Sequence, residues 1–300
     1  MTDFQVAVIG GGPAGLAATL TLSRSLIRTI LLDDSKPARN AASPDISAFP
    51  GLDRIPPTEF REVAAREISE YGYAVREPVA ANSVVKTSDN HFEIVTSDGK
   101  SFTARFVLLA TGMIDLFPEI DGLDKRWGRS VINCPFCQGY EWKNRAWGIL
   151  AHRPEILAAV EIYRNWTEDL TLFVAPETIW PVGRRRALET MGVRIVDDGV
   201  ASLHGDGEAL SQIITNSGET IDREVLLIWP RQRQCDLVTT MALPLDEDGS
   251  VRVDGQFETD MPGIYAAGDL TYSGHQNVNT SIHMGNMAAA NLVFELCMAG

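Results

Sequence analysis

Two cysteines three positions apart, Cys134-Pro135-Phe136-Cys137, are the residues of this sequence best suited to chemistry. In that spacing the two sulfurs can meet across one turn as a dithiol or a disulfide, and a helix N-terminus can lower the pKa of one thiol. Two structural thiols, or half of a zinc site, are the other readings of such a pair, and the zinc reading is the more demanding. It needs two further ligands, whereas Cys235 and Cys297 each stand alone and His152 has no companion. A second group of residues suits phosphate rather than sulfur. Gly10-Gly11-Gly12-Pro13-Ala14-Gly15 carries the spacing Gly-x-Gly-x-x-Gly, and the acids Asp33 and Asp34 follow roughly twenty residues on.

Each motif needs elements to hold it. Phe4–Ile9 is a short apolar run that suits a parallel strand buried on both faces. A helical pattern from Leu16 to Leu26 follows the glycines, and Thr29–Leu32 reads as a second strand ending at Asp33. In that order the glycines have separate tasks. Gly10 permits the tight turn, Gly12 lets backbone approach a pyrophosphate, and Gly15 lets helix pack closely on strand. The helix N-terminus turns its N–H groups to the phosphates. Asp33, or Asp34 beside it, falls where an acid holds a ribose hydroxyl. Farther along, the apolar strand Phe106–Leu109 ends in Ala110-Thr111-Gly112, and Ile264-Tyr265-Ala266-Ala267-Gly268-Asp269 lies near the C-terminus.

The sequence also repeats itself. Shifted by 141 positions, residues 147–159 (WGILAHRPEILAA) lie without a gap beside residues 6–18 (VAVIGGGPAGLAA). Pro154 falls on Pro13, but Ala151, Arg153 and Ile156 stand where the three glycines were. A hairpin turning at Asp98-Gly99 recurs as one turning at Ser217-Gly218, each leading into a buried strand. Strand, helix, strand, hairpin and buried strand thus recur in one order. The expected fold is α/β, two tandem Rossmann-like domains with the second inserted into the first. The predicted divisions are residues 1–116, 117–245 and 246–300.

The second copy is predicted not to hold NAD(P)H. Arg153 puts a side chain where backbone should approach a pyrophosphate. Val174-Ala175-Pro176-Glu177 offers no basic group to a 2′-phosphate where the first copy has Asp33, and Trp229-Pro230 replaces Thr111-Gly112. The run Arg184-Arg185-Arg186 reads as a solvated helix face. Trp142, Trp147, Trp166, Trp180 and Trp229 cluster in this part of the chain. They either pack a core or line a place for a second redox ligand, such as another flavin.

Together these marks resemble the two-dinucleotide-domain flavoproteins. A CxxC between Ala-Thr-Gly and the second repeat resembles, within them, the low-molecular-weight thioredoxin reductases. Arg39-Asn40, Gly122-Leu123, Trp127-Gly128, Cys134 through Glu141 and Arg164 through Asp169 are similar to the branch with the dithiol oxidases of the gliotoxin and holomycin pathways. The resemblance implies FAD held by Gly10, Gly12, Pro13, Ala14, Gly15, Asp33, Asp34, Arg39, Asn40, Val85, Thr111, Gly112, Gly268, Asp269, Gln276 and Asn277. Asp269 would hold the ribityl chain, and the helix after Asn277 would point its N-terminus at the flavin ring. Cys137 would stand nearer the flavin and Cys134 would exchange with the substrate sulfur. A homodimer is implied too. One departure stands out: thioredoxin reductases carry an aspartate after the second cysteine and the oxidases usually a histidine, but here it is Gln138, which cannot titrate. Glu141 and His275 are the candidates to replace it, the alternative being a flavin–thiolate pair that manages without one.

A net charge of −14 argues against nucleic acid and anionic membrane surfaces as partners. The strand opening at Phe4 leaves no room for a signal peptide, so a cytoplasmic protein is expected. The leading expectation is an FAD-dependent thiol–disulfide oxidoreductase independent of NAD(P)H. It would act on a thioredoxin-like protein or a small dithiol or disulfide, with oxygen or ferredoxin as electron partner. An NADPH-dependent thioredoxin reductase and a non-catalytic flavin-binding sensor are the alternatives.

Overall fold

The apolar run near the N-terminus forms β1 (Asp3–Ile9), and Val6, Ala7 and Val8 within it are wholly shielded from solvent. The computed structural model describes residues 3–34, 36–272 and 274–298. After β1 come α1 (Pro13–Arg24), β2 (Thr29–Leu32), α2 (Pro57–Glu70), β3 (Ala74–Glu77), β4 (Ala81–Lys86), β5 (Phe92–Thr96), β6 (Ser101–Leu109) and β7 (Ile114–Leu116). The middle of the chain forms β8 (Val131–Ile132), α3 (Pro135–Gln138), β9 (Trp147–Ala151), α4 (Pro154–Ala158), α5 (Val160–Tyr163), β10 (Leu170–Val174), α6 (Arg184–Thr190) and β11 (Arg194–Val196). Then follow β12 (Val200–His204), β13 (Gln212–Thr215), β14 (Thr220–Asp222), β15 (Val225–Leu227), β16 (Arg231–Arg233), α7 (Asp236–Thr240), β17 (Ile264–Ala266) and α8 (Val278–Met298).

The chain divides into two units. One comprises residues 1–39, 55–115 and 232–300; the other comprises residues 40–54 and 116–231. In the first, the sheet order is β3-β2-β1-β6-β5-β4, with β17 also on β6. β1, β2, β3, β6 and β17 run parallel, while β4 and β5 join through antiparallel pairs. The second unit has a parallel sheet β11-β10-β9-β15-β8 and a separate antiparallel sheet β12-β13-β14.

The two copies share more than element order. Val6↔Thr29 through Ile9↔Leu32 are the parallel partners of β1 and β2. Shifted by 141 positions they become Trp147↔Leu170 through Leu150↔Phe173, which are the partners of β9 and β10. A one-residue slip would turn every side chain to the opposite face, so this register keeps the buried pattern of both copies. The helix that follows differs. α1 runs 12 residues without a break, whereas its counterpart is split at Ala159 into α4 and α5.

Two boundaries differ from the sequence expectation. The return to the first unit falls after Arg231, not near Leu245, because Leu237 and Val238 of α7, with Leu243, belong to the apolar cluster around Ile9, Ile30 and Leu109. The stretch 40–54 belongs to the second unit. Gly128 lies so close to Ala42 that a Cβ there would meet the Ala42 carbonyl carbon at 2.5 Å, and Arg54 pairs with Glu141 at 2.8 Å.

In the first unit, α8 lies along α1 at Gly285, where a Cβ would stand 2.1 Å from the Ala14 carbonyl oxygen. That oxygen is backbone and cannot rotate away. Gly285→Ala is expected to cost about 1–3 kcal/mol in chemical denaturation and to loosen any nucleotide held by the α1 N-terminus.

Candidate active site

The glycine-rich loop is built by contacts that only bare backbone allows. Gly10 has φ +109°, and a Cβ there would stand 2.3 Å from the Ala110 carbonyl oxygen; at Gly15 it would stand 1.8 Å from the Gly10 oxygen. Helix and strand therefore meet with no side chain between them. Gly12 is the N-cap of α1, has no side-chain cap, and has open space where a Cβ would point. That is the geometry a pyrophosphate needs: uncapped helix N–H groups and unobstructed backbone. The Thr111 hydroxyl is buried without a partner, so a polar ligand beside it would satisfy a group the protein leaves open.

The acids converge on this loop. Asp33 lies directly after β2, with its Oδ2 where a Cβ on Gly11 would be, and it accepts a 2.6 Å bond from Arg61. Asp33 also borders a cavity of about 240 Å³ with Arg76, Glu77 and Pro78. Asp34 instead pairs outward with Lys36 at 2.7 Å. Gly268, at φ +94°, packs on Ala14 and sets Asp269 beside the same helix terminus. Burial pushes the Asp269 carboxyl above its ordinary range, against the pull of Arg39 and of the Ser281 hydroxyl, which donates to it at 3.1 Å. Arg39 reaches Asp269 at 3.4 Å, and its other bonds run to Asp115 and to Gln276, each at 2.8 Å. The Asn277 side chain caps α8, accepting the Thr280 N–H at 2.9 Å.

One expected cofactor residue lies away from this group, and another is assigned to the second unit. Asn40 belongs to the second unit. Val85 is more than half exposed on β4, and the register Val85↔Glu93, Glu93↔Thr103, Thr103↔Asp3 carries it to the end of β1 opposite Gly10. Arg61, Asp115 and Ser281 are the polar residues the sequence did not single out. None carries a motif; only the folded chain brings them to the acids.

In the second unit Cys134 and Cys137 form a disulfide. Cys134 is the N-cap of α3, and its Sγ accepts the Cys137 N–H at 3.1 Å. Phe136, over half exposed, stands edge-on to Trp166 beside the pair. Gln138 does not take the role of a titrating neighbour: its Nε2 donates to the Gly128 carbonyl at 2.9 Å. Glu141 is held by Arg54. His275 belongs to the first unit, exposed, ahead of α8.

The second loop has the shape of a nucleotide loop with its space filled. Arg153 is the N-cap of the five-residue α4, and Ile156, where Gly15 would be, is buried. Nε of Arg153 and Nδ1 of His152 are buried without partners, and burial, with the Arg153 charge, holds the imidazole below its ordinary range. Two arginines of the run are engaged by neighbouring groups. Arg184 binds the Leu157 carbonyl and Glu161, while Arg185 pairs with Asp197 and with Glu189. Trp147 is fully buried and stacks on Trp166, and Trp142, Trp166, Trp180 and Trp229 pack against the same core. Core packing accounts for the tryptophan cluster.

Residues 4–151 and 183–285 match the family model described as pyridine nucleotide-disulphide oxidoreductase. The chain belongs to that family. A thioredoxin reductase, tcpT, of Claviceps purpurea is 30% identical over 96% of this chain and 94% of its own. Among solved structures, a putative thioredoxin reductase TrxB of Bacillus anthracis has a TM-score of 0.91 at 29% identity, covering 99% of both chains. HlmI has a TM-score of 0.91 at 28% identity, covering 99% of this chain and 93% of its own. This family member is therefore a thioredoxin reductase-like flavin disulfide oxidoreductase. No helix among the described residues is long and apolar enough to cross a membrane.

The N–H bond at Cys134 has a measurable consequence. A donor aimed at a sulfur favours its thiolate. In a Cys137→Ser protein the remaining Cys134 is expected to titrate below the ordinary thiol value of about 8.5. Cys137 in a Cys134→Ser protein, which has no such donor among the described residues, is expected to titrate higher. Thiolate ultraviolet absorbance against pH measures both.

Proposed function

We propose that this family member is an FAD-dependent thiol–disulfide oxidoreductase that works without NAD(P)H. The observation that carries this reading is the contrast between its two loops. The first keeps open backbone at Gly12, while the second presents Arg153 and Ile156 at the matching positions. The pairing of Arg184 and Arg185 with surface acids supports the same reading, since neither guanidinium is left for a 2′-phosphate.

Gly10, Gly12, Pro13, Ala14 and Gly15 would hold the pyrophosphate, Asp33 the adenosine ribose, and Asp269 with Gln276 the ribityl end. FAD, when bound, supplies or accepts the electron pair that the disulfide cannot pass on alone. The work of the chain lies at sulfur. In dithiol oxidation one substrate thiolate attacks Cys134, whose bond to Cys137 breaks, and the Cys137 thiolate departs. The second substrate thiolate then displaces Cys134, leaving an oxidised substrate and a reduced pair. Two protons pass from substrate to the pair, and both cysteines are partly open to water, which can carry them. The reverse sequence reduces a disulfide. Oxygen as acceptor in the first direction, or a ferredoxin-type carrier as donor in the second, completes the cycle. The substrate would be a thioredoxin-like protein or a small dithiol, and the working form a homodimer.

The names of the relatives say thioredoxin reductase, and an NADPH-dependent one is the second reading. Anaerobic mixing separates the two. NADPH and NADH are expected to leave the flavin absorbance of the holoprotein unchanged on the time scale of turnover, while a dithiol bleaches it. Rapid stoichiometric bleaching by either nicotinamide sinks the proposal. Cys137→Ser is expected to lower dithiol-driven bleaching by at least about a thousandfold, the scale at which an essential nucleophile acts. Reoxidation of the chemically reduced flavin by oxygen or by a thioredoxin disulfide then gives the direction of flow.

A further inference from the structure

The chain passes between its two units four times, and the first unit's residues at three of those passages are bound to one another. Arg39 ends its first segment, Asp115 ends its second and Gln232 begins its third. Asp115, whose side chain is only 6% exposed, accepts from Arg39 Nε at 2.8 Å through Oδ2 and from Gln232 Nε2 at 3.0 Å through Oδ1. Gln276 closes the ring. Its Oε1 accepts from Arg39 at 2.8 Å and from Gln232 at 3.0 Å, and its Nε2 donates back to Gln232 at 3.1 Å. The backbones beside these residues are ordered as well: β7 and β16 pair as a two-stranded ribbon, and Arg39 opens a 3-10 turn to Ala42.

The network ends on the cofactor acid. Arg39 Nη1 touches Asp269 at 3.4 Å, the longest link in the set, whereas its bonds to Asp115 and Gln276 are short. A hydroxyl donor arriving at Asp269 therefore competes with the weakest contact and leaves the rest of the ring in place. A ligand that binds only the closed arrangement adds its binding free energy to the cost of opening it. Opening of the ring also frees the passages, because Asp115 and Gln232 lie within the paired strands themselves.

We propose that Asp115 is a positioning residue that couples nucleotide loading at Asp269 and Gln276, through Arg39 and Gln232, to the rigidity of three of the chain passages. This rests on the reading of the first loop as an FAD site. It assigns to the ring a task beyond holding the cofactor: the stiffness of the passages follows the occupancy of the site.

Amide hydrogen exchange on the full chain, FAD-loaded and FAD-stripped, tests it. Peptides covering residues 39–42, 114–116 and 231–233 are expected to exchange about tenfold more slowly when loaded. The sheet of β12, β13 and β14 serves as the unaffected reference. In Asp115→Asn, which keeps the shape but loses one acceptor, and in Gln232→Leu, FAD is expected to stay bound by absorbance while the slowing falls below about twofold. Equal slowing in wild type and variants, or none in wild type, overturns the proposal. Should Asp115→Asn lose FAD, Gln232→Leu decides, since it leaves the Arg39–Asp269 contact untouched. Loss of FAD from both makes the ring merely part of the pocket and overturns the coupling. A wild-type chain that takes up no flavin fails the FAD reading itself, and absorbance reveals that before any exchange is measured.

Discussion

No side chain can stand where the first turn of α1 meets its neighbours, and the first unit depends on that. Gly15 lies against the Gly10 carbonyl, Gly10 against Ala110, Gly268 against the Ala14 side chain and Gly285 against the Ala14 carbonyl. Each contact would bring a Cβ within 3 Å of another atom. The ends of β1 and β6, the turn after β17 and the middle of α8 are thereby drawn to one helix terminus. Thr111, Asp269 and the open face at Gly12 are near one another because these four glycines let the backbones close. Backbone contact of this kind tolerates no gradual substitution, so the nucleotide loop and the packing of α8 on α1 stand or fall together.

The second copy shows which part of that arrangement belongs to the fold and which to the ligand. β9 and β10 keep the register of β1 and β2, so the parallel sheet does not need the glycines. What goes with them is close helix–strand approach. Ile156 stands where Gly15 lets helix and strand touch, Arg153 sits at the N-cap, and the helix breaks after Ala158. Val174, Trp229 and Trp166 bury apolar surface that stabilises the unit without any ligand. The strand order and register thus outlast the glycines, while the close helix–strand approach does not.

Much of this was legible in the sequence because it is local. Apolar runs with buried parallel-strand character marked β1, β2 and β6, and the glycine spacing marked the turn between β1 and α1. The copy in residues 147–159 was visible because register and order leave a gap-free trace. What was not legible depends on partners distant in sequence. Residues 40–54 carry no periodicity, and only the contact of Gly128 with Ala42 and the Arg54–Glu141 pair assign them to the second unit. Residues 232–245 follow the second copy in sequence, yet Leu237, Val238 and Leu243 bury themselves in the first core. Val85 was grouped with the cofactor residues by resemblance, and strand register carries it to the other end of the sheet. The ring around Asp115 joins Arg39 and Gln276, which the resemblance had marked, to Asp115 and Gln232, which carry no signature.

The disulfide without a titrating neighbour poses the chemical question that sequence raised most sharply, and the structure narrows it. Gln138 donates to the Gly128 carbonyl, so it acts as a strut for the turn that leads to the pair. Glu141 is occupied by Arg54. A base fixed beside a thiol is needed when that thiol is protonated at working pH; a thiol whose thiolate is already favoured needs only water to carry its proton. At Cys134 the N-cap position of α3 and the Cys137 N–H set a backbone donor against the sulfur. Backbone cannot titrate away and survives the replacement of any single side chain. With Gln138 where a carboxylate or imidazole would stand, the position after Cys137 carries no titrating proton, and the backbone donor on Cys134 is untouched by that exchange.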